Sequence, residues 1–261
     1  MRLVTWNVNS IRQRLPRLLA LLERHAPDVV CLQETKVSDD DFPIEPLLAA
    51  GYGALSNGQP GRNGVAIVSR LPLEEIARGL PDDPVPDDRR LLIARAGDMT
   101  IGSVYAVNGK AVSDPAYEVK LTWYEALAAW ARATIDPREP LVLAGDFNVT
   151  PDDRDVHDPE LWRGQNLASE PERDRLARVM DAGLDDLGRR WAGDVTGPFT
   201  YWDYRAGAFH RGWGLRIDLV LGTLAVAERL VSVEVDRDER KPTFGEGKPS
   251  DHAPVIVTLS D

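Results

Sequence analysis

The chain has 261 residues, 43% of them hydrophobic, which is enough to bury a sizeable core as one domain over residues 1–261. Its formal net charge of −11 lowers the nonspecific affinity expected for nucleic acid. That charge does not exclude such a partner, because a bound metal ion neutralises the carboxylates around it. No 18-residue apolar run is present and the N-terminus soon turns polar, so neither a membrane span nor a secretory signal is expected. We expect a monomer in the bacterial cytoplasm.

The chain opens with a predicted strand, helix and strand. Residues 3–8 carry alternating β-formers, and apolar residues recur at helical intervals over 11–24. Ser10 and Gln13 have the spacing of a capping box at the start of this helix. The apolar run 28–33 then predicts a second strand. Polar residues follow both strands, as they do where α/β folds place their chemistry.

The rest of the chain is predicted to contain more strands than helices. A long helix begins with Asp114 as its N-cap and Pro115 in its first position, and a shorter helix covers 171–181. Further strands are predicted at 64–69, 91–95, 100–106, 141–145, 199–203, 216–221, 230–235 and 254–259. Because strands and helices do not alternate regularly, we expect an α/β fold built as a four-layer sandwich, with two packed mixed β-sheets flanked by helices.

Acidic, amide or imidazole residues end five of the apolar segments. The segments are Asn7-Val-Asn9, Gln33-Glu34, Gly145-Asp-Phe-Asn148, Arg216-Ile-Asp218 and Ser250-Asp-His252. Each alone is weak evidence, since Gly-Asp is usually a turn and Asp-His is usually a surface or capping pair. Together they supply the oxygen ligands that Mg²⁺ or Mn²⁺ requires, and a single histidine among carboxylates argues against zinc.

These motifs resemble those of the endonuclease/exonuclease/phosphatase superfamily, and the resemblance extends over essentially the whole chain. Gln33-Glu34, Gly145-Asp-Phe-Asn148 and Ser250-Asp-His252 are shared by the whole superfamily. Thr35-Lys36 and two further segments, Trp202-Asp-Tyr-Arg205 and Gly214-Leu-Arg-Ile-Asp218, are similar to the exonuclease III type of abasic endonuclease in particular.

The resemblance implies a site that holds one or two ions of Mg²⁺ or Mn²⁺. Glu34 would be the main metal ligand with Asn7 close beside it, and Asp251 would serve the same site or a second ion. Such an ion would neutralise charge that grows on the phosphoryl oxygens during hydrolysis of a phosphodiester.

The resemblance also implies the catalytic roles. Asp146 would activate or position the attacking water, and Asn148 would orient Asp146 and the phosphate. His252, held by Asp218, would contact the scissile phosphate, since a carboxylate on one imidazole nitrogen fixes the tautomer and favours imidazolium. Tyr105 matches a tyrosine near that phosphate. A plainer interpretation of Asp218 is that it caps a strand end.

Contacts to DNA are implied at four positions. Lys36 directly follows the Gln-Glu-Thr segment, and Asn108 lies in the loop after Tyr105, where Val107 replaces the family's usual proline. Tyr201 aligns with a wall of the pocket for an extrahelical sugar, and Leu215 aligns with a second wall. Five arginines in loops or helix starts are candidates, as a group, for phosphate contacts: Arg12, Arg62, Arg89, Arg90 and Arg211.

The expected function is metal-dependent cleavage of the DNA backbone 5′ to abasic sites, with 3′–5′ exonuclease or 3′ end-trimming activity, in base excision repair. The partner would be duplex DNA with abasic sites or blocked 3′ ends, which the enzyme would meet at the nucleoid. Two alternatives remain open at this point. One is a small-molecule or lipid phosphodiesterase or phosphatase of the same fold, which the acidic charge would suit, and the other is a catalytically silent DNA-binding protein.

Overall fold

The computed structural model describes residues 1–260 and contains twelve strands and eight α-helices in that range. The strands are β1 (Arg2–Asn7), β2 (Val29–Gln33), β3 (Gly53–Asn57), β4 (Val65–Ser69), β5 (Leu73–Arg78), β6 (Leu91–Ala96), β7 (Met99–Tyr105), β8 (Leu141–Asp146), β9 (Leu184–Asp186), β10 (Asp218–Thr223), β11 (Leu230–Val235) and β12 (Val255–Leu259). The helices are α1 (Ile11–His25), α2 (Ile44–Ala49), α3 (Pro115–Thr134), α4 (Pro159–Trp162), α5 (Glu170–Met180), α6 (Leu187–Ala192), α7 (Ala208–Arg211) and α8 (Leu224–Ala227). Short 3₁₀ turns lie at Asp153–Asp155, Arg205–Gly207 and Arg237–Arg240.

The strands form two mixed six-stranded sheets that pack face to face. The first sheet has the order β11-β12-β1-β2-β4-β3 and the second has the order β5-β6-β7-β8-β10-β9. Only β1 with β2 and β7 with β8 are parallel neighbours among the described strands. Helix α1 packs on the outer face of the first sheet, and α3 and α5 cover the outer face of the second. The predicted four-layer α/β sandwich is therefore confirmed.

Strand β1 shows how the sequence positions the site. Val4 and Trp6 point outward into the core beneath α1, whereas Leu3 belongs to the core between the sheets. By the two-residue period of a strand, Thr5 and Asn7 share the face of Leu3. The inner face of the first sheet thus changes from apolar to polar toward the end of β1, where catalytic groups can be held between the two sheets.

Most predicted elements are found, within a residue or two of their predicted bounds. Asp114 caps α3 as predicted, accepting a hydrogen bond from the Ala116 amide at 2.9 Å. The prediction of a capping box at Ser10 is wrong. Ser10 makes no side-chain cap, and its amide donates instead to the Glu34 carbonyl at 2.8 Å, because the loop after β2 meets the start of α1.

The predicted strand at 199–203 is also wrong. Tyr201 forms only isolated bridges, one to Leu215 and one to His252, so this segment crosses the end of the sandwich without joining a sheet. Its β-forming residues reflect packing against those neighbours, which is what β-propensity measures. Strands β3, β5 and β9 were not predicted.

No α-helix in the described part of the chain is long and apolar enough to span a membrane.

Candidate active site

The site lies at one end of the sandwich, where a row of residues from each sheet meets. In the second sheet, Asp146 at the end of β8 lies directly between Tyr105 of β7 and Asp218 of β10. In the first sheet, Asn7 of β1 is in register with Gln33 of β2. Strand ends that are adjacent within each sheet therefore bring together residues that are far apart along the chain.

Asn7 joins the two rows. Its side-chain amide donates to Glu34 Oε1 at 2.8 Å and to Asp146 Oδ2 at 2.9 Å, and Asn7 is fully buried. Glu34 itself has a φ of 52°, a left-handed conformation that costs a non-glycine residue on the order of 1–3 kcal/mol. One amide thus fixes the spacing of two carboxylates that belong to different sheets.

Glu34, Asp146 and His252 form a cluster that could hold a cation. One oxygen or nitrogen atom of each side chain lies within 4.8 Å of the others, and the two carboxylates are the groups that can ligate a cation while His252 is protonated. Two carboxylates fit a hard divalent cation, and the buried Asp218 Oδ1, which has no hydrogen-bond partner, leaves a further oxygen free nearby. Lys36 Nζ lies 2.8 Å from Glu34 Oε2, so a lysine supplies the positive charge beside Glu34 here.

Asp146, His252 and Asp218 form a buried chain of charged groups. His252 Nδ1 lies 2.8 Å from Asp218 Oδ2, and its Nε2 lies 3.8 Å from Asp146 Oδ2. Burial alone would lower the pKa of His252, but Asp218 and Asp146 outweigh burial and raise it to about 10. Asp218 therefore holds the ring with Nε2 directed toward Asp146 and keeps it protonated at neutral pH.

The metal-free protein is expected to lose stability as pH rises. Burial, followed by the charges of Asp218 and Glu34, raises the pKa of Asp146 from 3.8 to about 7 despite the opposing charge of His252. A folded-state pKa above the unfolded value contributes stability that is complete below pH 3.8 and lost as pH rises through 7. Between pH 4.5 and 8, the free energy of unfolding in chelator should fall on the order of 2 kcal/mol more for the parent than for Asp146→Asn. Urea denaturation at both pH values measures this, and equal pH dependence would contradict it.

Tyr105 borders the same carboxylates. It is largely buried, and burial, with the nearby charges of Glu34 and Asp146, raises the pKa of its hydroxyl well above the ordinary value. Arg90 lies over the Tyr105 ring, with its Cζ 5.1 Å from the ring centroid, and pairs with Asp88 at 2.9 Å. The phenol is therefore protonated at neutral pH and can donate a hydrogen bond to an anion.

The loop after β8 is held by an asparagine pair and a buried lysine. The Asn148 amide N–H donates to Asp146 Oδ1 at 2.9 Å, so it is the backbone of Asn148 that orients the carboxylate. Its side chain accepts from Asn108 Nδ2 at 2.8 Å, joining the loops after β7 and β8. Lys120 Nζ donates to the backbone carbonyls of both asparagines and pairs with Glu172. Two loops of the site are thus fixed from behind by α3 and α5.

Asp251 lies beside the cation cluster and outside it. Its Oδ1 accepts from Asn9 Nδ2 at 2.9 Å, and Asn9 Oδ1 accepts from Lys36 Nζ at 2.5 Å. A line of hydrogen bonds therefore runs from Asp251 through Asn9 to Lys36 and on to Glu34. This arrangement leaves Asp251 able to serve a second ion position, and it links the Ser-Asp-His segment to the loop after β2.

A cavity of about 480 Å³ opens beside these groups. Tyr201, Leu215 and Asn108 all line it, and the Tyr201 ring lies 4.9 Å from the His252 ring. Trp213 forms another wall and is stacked on His157, with ring centroids 6.1 Å apart and an interplanar angle of 19°. The structure thus brings three of the four predicted DNA-contact residues to one cavity, and the fourth, Lys36, lies at Glu34.

Comparison with known proteins identifies the family. The model described as the Endonuclease/Exonuclease/phosphatase family matches residues 4–252. The chain belongs to this family. Exodeoxyribonuclease III of Haemophilus influenzae is 32% identical over 266 residues, which cover 98% of each chain. A solved structure of the 3′ phosphatase NExo from Neisseria, bound to product DNA hairpin, is 38% identical with a TM-score of 0.94, and an AP endonuclease from Archaeoglobus fulgidus is 35% identical with a TM-score of 0.93. In both comparisons the match covers 100% of this chain and 100% of the solved chain.

Within this family, the chain is a DNA repair hydrolase of the exonuclease III and AP endonuclease type. The expectation drawn from Thr35-Lys36 and the later motifs is therefore confirmed. The structure also corrects the group of arginines predicted to contact phosphates. Arg90 belongs to that group, but it is only 8% exposed. Arg90 is engaged by Asp88, so it supports the site from within and does not belong to the DNA-facing group.

Sequence reasoning missed Lys120 and Asn9 as positioning residues of this endonuclease/exonuclease/phosphatase domain. A signal for Lys120 was present, since it lies among Tyr117, Leu121 and Tyr124 on the buried face of α3. A lysine on an apolar helix face must find acceptors or an ion pair when it is buried. Asn9 belongs to the first of the five polar segments, but its role could not be predicted because its two partners lie 27 and 242 residues away.

Proposed function

We propose that this enzyme cleaves the backbone of duplex DNA 5′ to abasic sites and also trims blocked 3′ ends, in base excision repair. The observation that supports this most is the cavity that Tyr201 and Leu215 form beside His252. A sugar without a base has little stacking to break, so it can leave the duplex and enter an apolar cavity at lower cost than a normal nucleotide. Shape alone would then select the damaged site.

In the proposed mechanism, Glu34 and Asp146 would hold a divalent cation, Mg²⁺ or Mn²⁺, with their separation fixed by Asn7. When bound, this ion neutralises the charge that develops on the phosphoryl oxygens. The cluster fits such an ion because its donors are mainly carboxylate oxygens, which hard cations prefer. Asp251 is the proposed ligand of a second ion position. Its carboxylate is held there by the hydrogen bond that it accepts from Asn9.

The chain's own residues perform the remaining steps. Asp146, oriented by the Asn148 amide, accepts a proton from the attacking water as the water oxygen bonds to phosphorus and the P–O3′ bond breaks. His252, kept protonated by Asp218, gives its Nε2 proton to the departing 3′ oxygen, and Tyr105 donates a hydrogen bond from its hydroxyl to the phosphate. Preorganised donors of this kind act on charge that grows in the transition state. Lys36 and Asn108 are the proposed contacts to DNA beside the reacting phosphate.

The same proposal covers the setting of the reaction. We infer that residues 1–261 act as a single domain and a monomer in the bacterial cytoplasm. Support comes from the two sheets, which both contribute to one site, and from the full-length match to the Haemophilus influenzae relative.

The proposal is tested by incubating the enzyme with three labelled duplexes, one with an abasic analogue, one with a 3′-phosphate and one undamaged. With Mg²⁺ we expect incision 5′ to the analogue and removal of the 3′-phosphate, and with chelator neither. Cleavage of the undamaged duplex at the same rate as the analogue would contradict selection by the cavity. Hydrolysis of small phosphate esters without any incision of DNA would favour the small-molecule phosphatase alternative instead.

A further inference from the structure

A second cavity, of about 340 Å³, lies next to the first and is rich in cationic side chains. We call it the Arg240 pocket, and it is lined by Asp203, Tyr204, Gly207, Ala208, Phe209, His210, Arg240, Pro242, Gly247, Lys248 and Pro249. Asp203 lines both cavities, so the segment from Tyr201 to Tyr204 separates them. The pocket takes no part in the mechanism described above.

Arg240 is one of two buried arginines that form no ion pair in the described part of this acidic protein. Five arginines among residues 1–260 are buried, and three of them, Arg17, Arg90 and Arg216, pair with carboxylates at 2.6 to 3.1 Å. Arg14 and Arg240 form no ion pair with any described residue, and the Nε of each is buried without a hydrogen-bond partner. An unpaired buried charge is costly, so a site that keeps one in an acidic chain points to an anionic ligand.

The surroundings hold the guanidinium in place without a direct ion pair, although the negative charge of Asp251 acts on it from nearby. Arg240 is 5% exposed and lies between the rings of Tyr204 and Phe209, at 5.2 and 5.1 Å from their centroids. One terminal nitrogen donates to the Trp202 carbonyl at 3.0 Å. Burial lowers the pKa of Arg240 from its ordinary value, although the group remains protonated at neutral pH. The fork is therefore fixed in direction and keeps its positive charge.

Further cationic groups share this pocket. Lys248 Nζ lies 4.6 Å from the centroid of the Tyr204 ring, is exposed, and forms no ion pair within residues 1–260. Arg14 donates to the Tyr204 hydroxyl at 2.7 Å and to the Asn9 carbonyl at 2.9 Å, so it connects the pocket with the active site. The Asp203 carboxylate is engaged by Arg205 at 2.8 Å. Arg240 and Lys248 thus both line one concave surface and both lie against the Tyr204 ring, an arrangement that suits a phosphate.

We propose that the Arg240 pocket is a phosphate-binding site that holds a backbone phosphate of the DNA strand lying across the neighbouring active site. This rests on the proposed function, because it takes DNA as the source of the phosphate. It explains how a chain of net charge −11 binds DNA, since positive charge is concentrated where the strand passes. A free phosphate ion has the same chemistry and is the other possible source, which the experiment separates.

The test compares the parent with Lys248→Gln and Arg240→Gln, using Arg138→Gln as a matched control. Arg138 is exposed and pairs with Asp136 near the start of β8, at the opposite end of that strand from Asp146. Binding of a labelled duplex is measured in chelator, so that no DNA is cut, over a series of salt concentrations. Lys248→Gln should weaken binding about 3- to 10-fold and reduce the slope of log affinity against log salt by about one, and the control should change neither.

Each result bears on the proposal. Parent-like affinity and salt slope in Lys248→Gln would overturn it, and Lys248→Gln alone decides if Arg240→Gln proves unfolded by its thermal transition. In a second arm, inorganic phosphate is titrated against the thermal midpoint of each protein. Stabilisation by phosphate that is lost in Lys248→Gln, with DNA binding unchanged, would overturn DNA as the source. Because binding is measured without incision, a failure of this proposal is distinct from a failure to cut abasic duplexes.

Discussion

Replacing Asp146 with asparagine is expected to lower kcat for incision of an abasic duplex by about 10³-fold, with DNA affinity within a few-fold of the parent. Asparagine is nearly isosteric, but its single side-chain oxygen can accept only one of the two hydrogen bonds that Asp146 accepts, from Asn7 at Oδ2 and from the Asn148 amide at Oδ1. It cannot accept a proton from water, and it removes a negative charge from the cation cluster. Single-turnover incision in saturating Mg²⁺ measures the chemical step, and fluorescence anisotropy measures binding separately.

A matched control for this change is Asp185→Asn. Asp185 is a partly exposed carboxylate on β9 that pairs with Arg190. It lies opposite Gly222 of β10, at the end of that strand that is remote from Asp218. Incision by this variant should equal that of the parent. If Asp146→Asn retained a tenth or more of the parental rate, a role for Asp146 as the acceptor of the water proton would be ruled out.

Replacing Asp218 with asparagine is expected to lower kcat about 100-fold or more and to move the alkaline limb of the pH profile to lower pH. Asp218 contributes most among the three carboxylates, with Asp146 and Asp251, that raise the pKa of His252 to about 10 against the effect of burial. Imidazolium is the donor in the proposed mechanism, so activity is present below the pKa of His252 and lost above it. Without Asp218 that pKa falls, and the ring also loses the bond that fixes its orientation.

The measurement is kcat/KM from pH 6 to 10 for the parent, Asp218→Asn and His252→Ala. His252→Ala should lose the alkaline limb altogether, which identifies the group responsible for it. An alkaline limb that stays in place in Asp218→Asn would show that Asp218 only ends a strand, the plainer interpretation of the Arg-Ile-Asp segment. Thermal unfolding of each variant distinguishes a loss of activity from a loss of fold.

Much of this architecture follows from local sequence patterns. Strands β1, β2 and β8 are short apolar runs that end in polar residues, and the polar residues at those ends are the ones that meet in space. Asp146 and Asp218 could be assigned to strand ends in this way. Their place beside each other could not, because it depends on the antiparallel pairing of β8 with β10, which has no local signal.

Other features depend on contacts that only the folded chain makes. The segment 199–203 has the composition of a strand, yet Tyr201 pairs singly with Leu215 and His252 across the end of the sandwich. Arg90 has the appearance of a surface arginine, since it follows a Pro- and Asp-rich loop, but it folds back over Tyr105. Tertiary packing overrode the local pattern in both places, as it commonly does for β-forming and amphipathic residues.

The position of the first and last strands has a consequence for synthesis of the protein. Strand β1 pairs with β12, so β1 lacks this neighbour until Val255–Leu259 have emerged from the ribosome. Asn7 comes from the beginning of the chain and His252 from the end, and both are needed to complete the arrangement around Asp146. A polypeptide that stops before His252 therefore lacks part of the nuclease centre, and the ability to cut DNA arises only after residue 252 has been added.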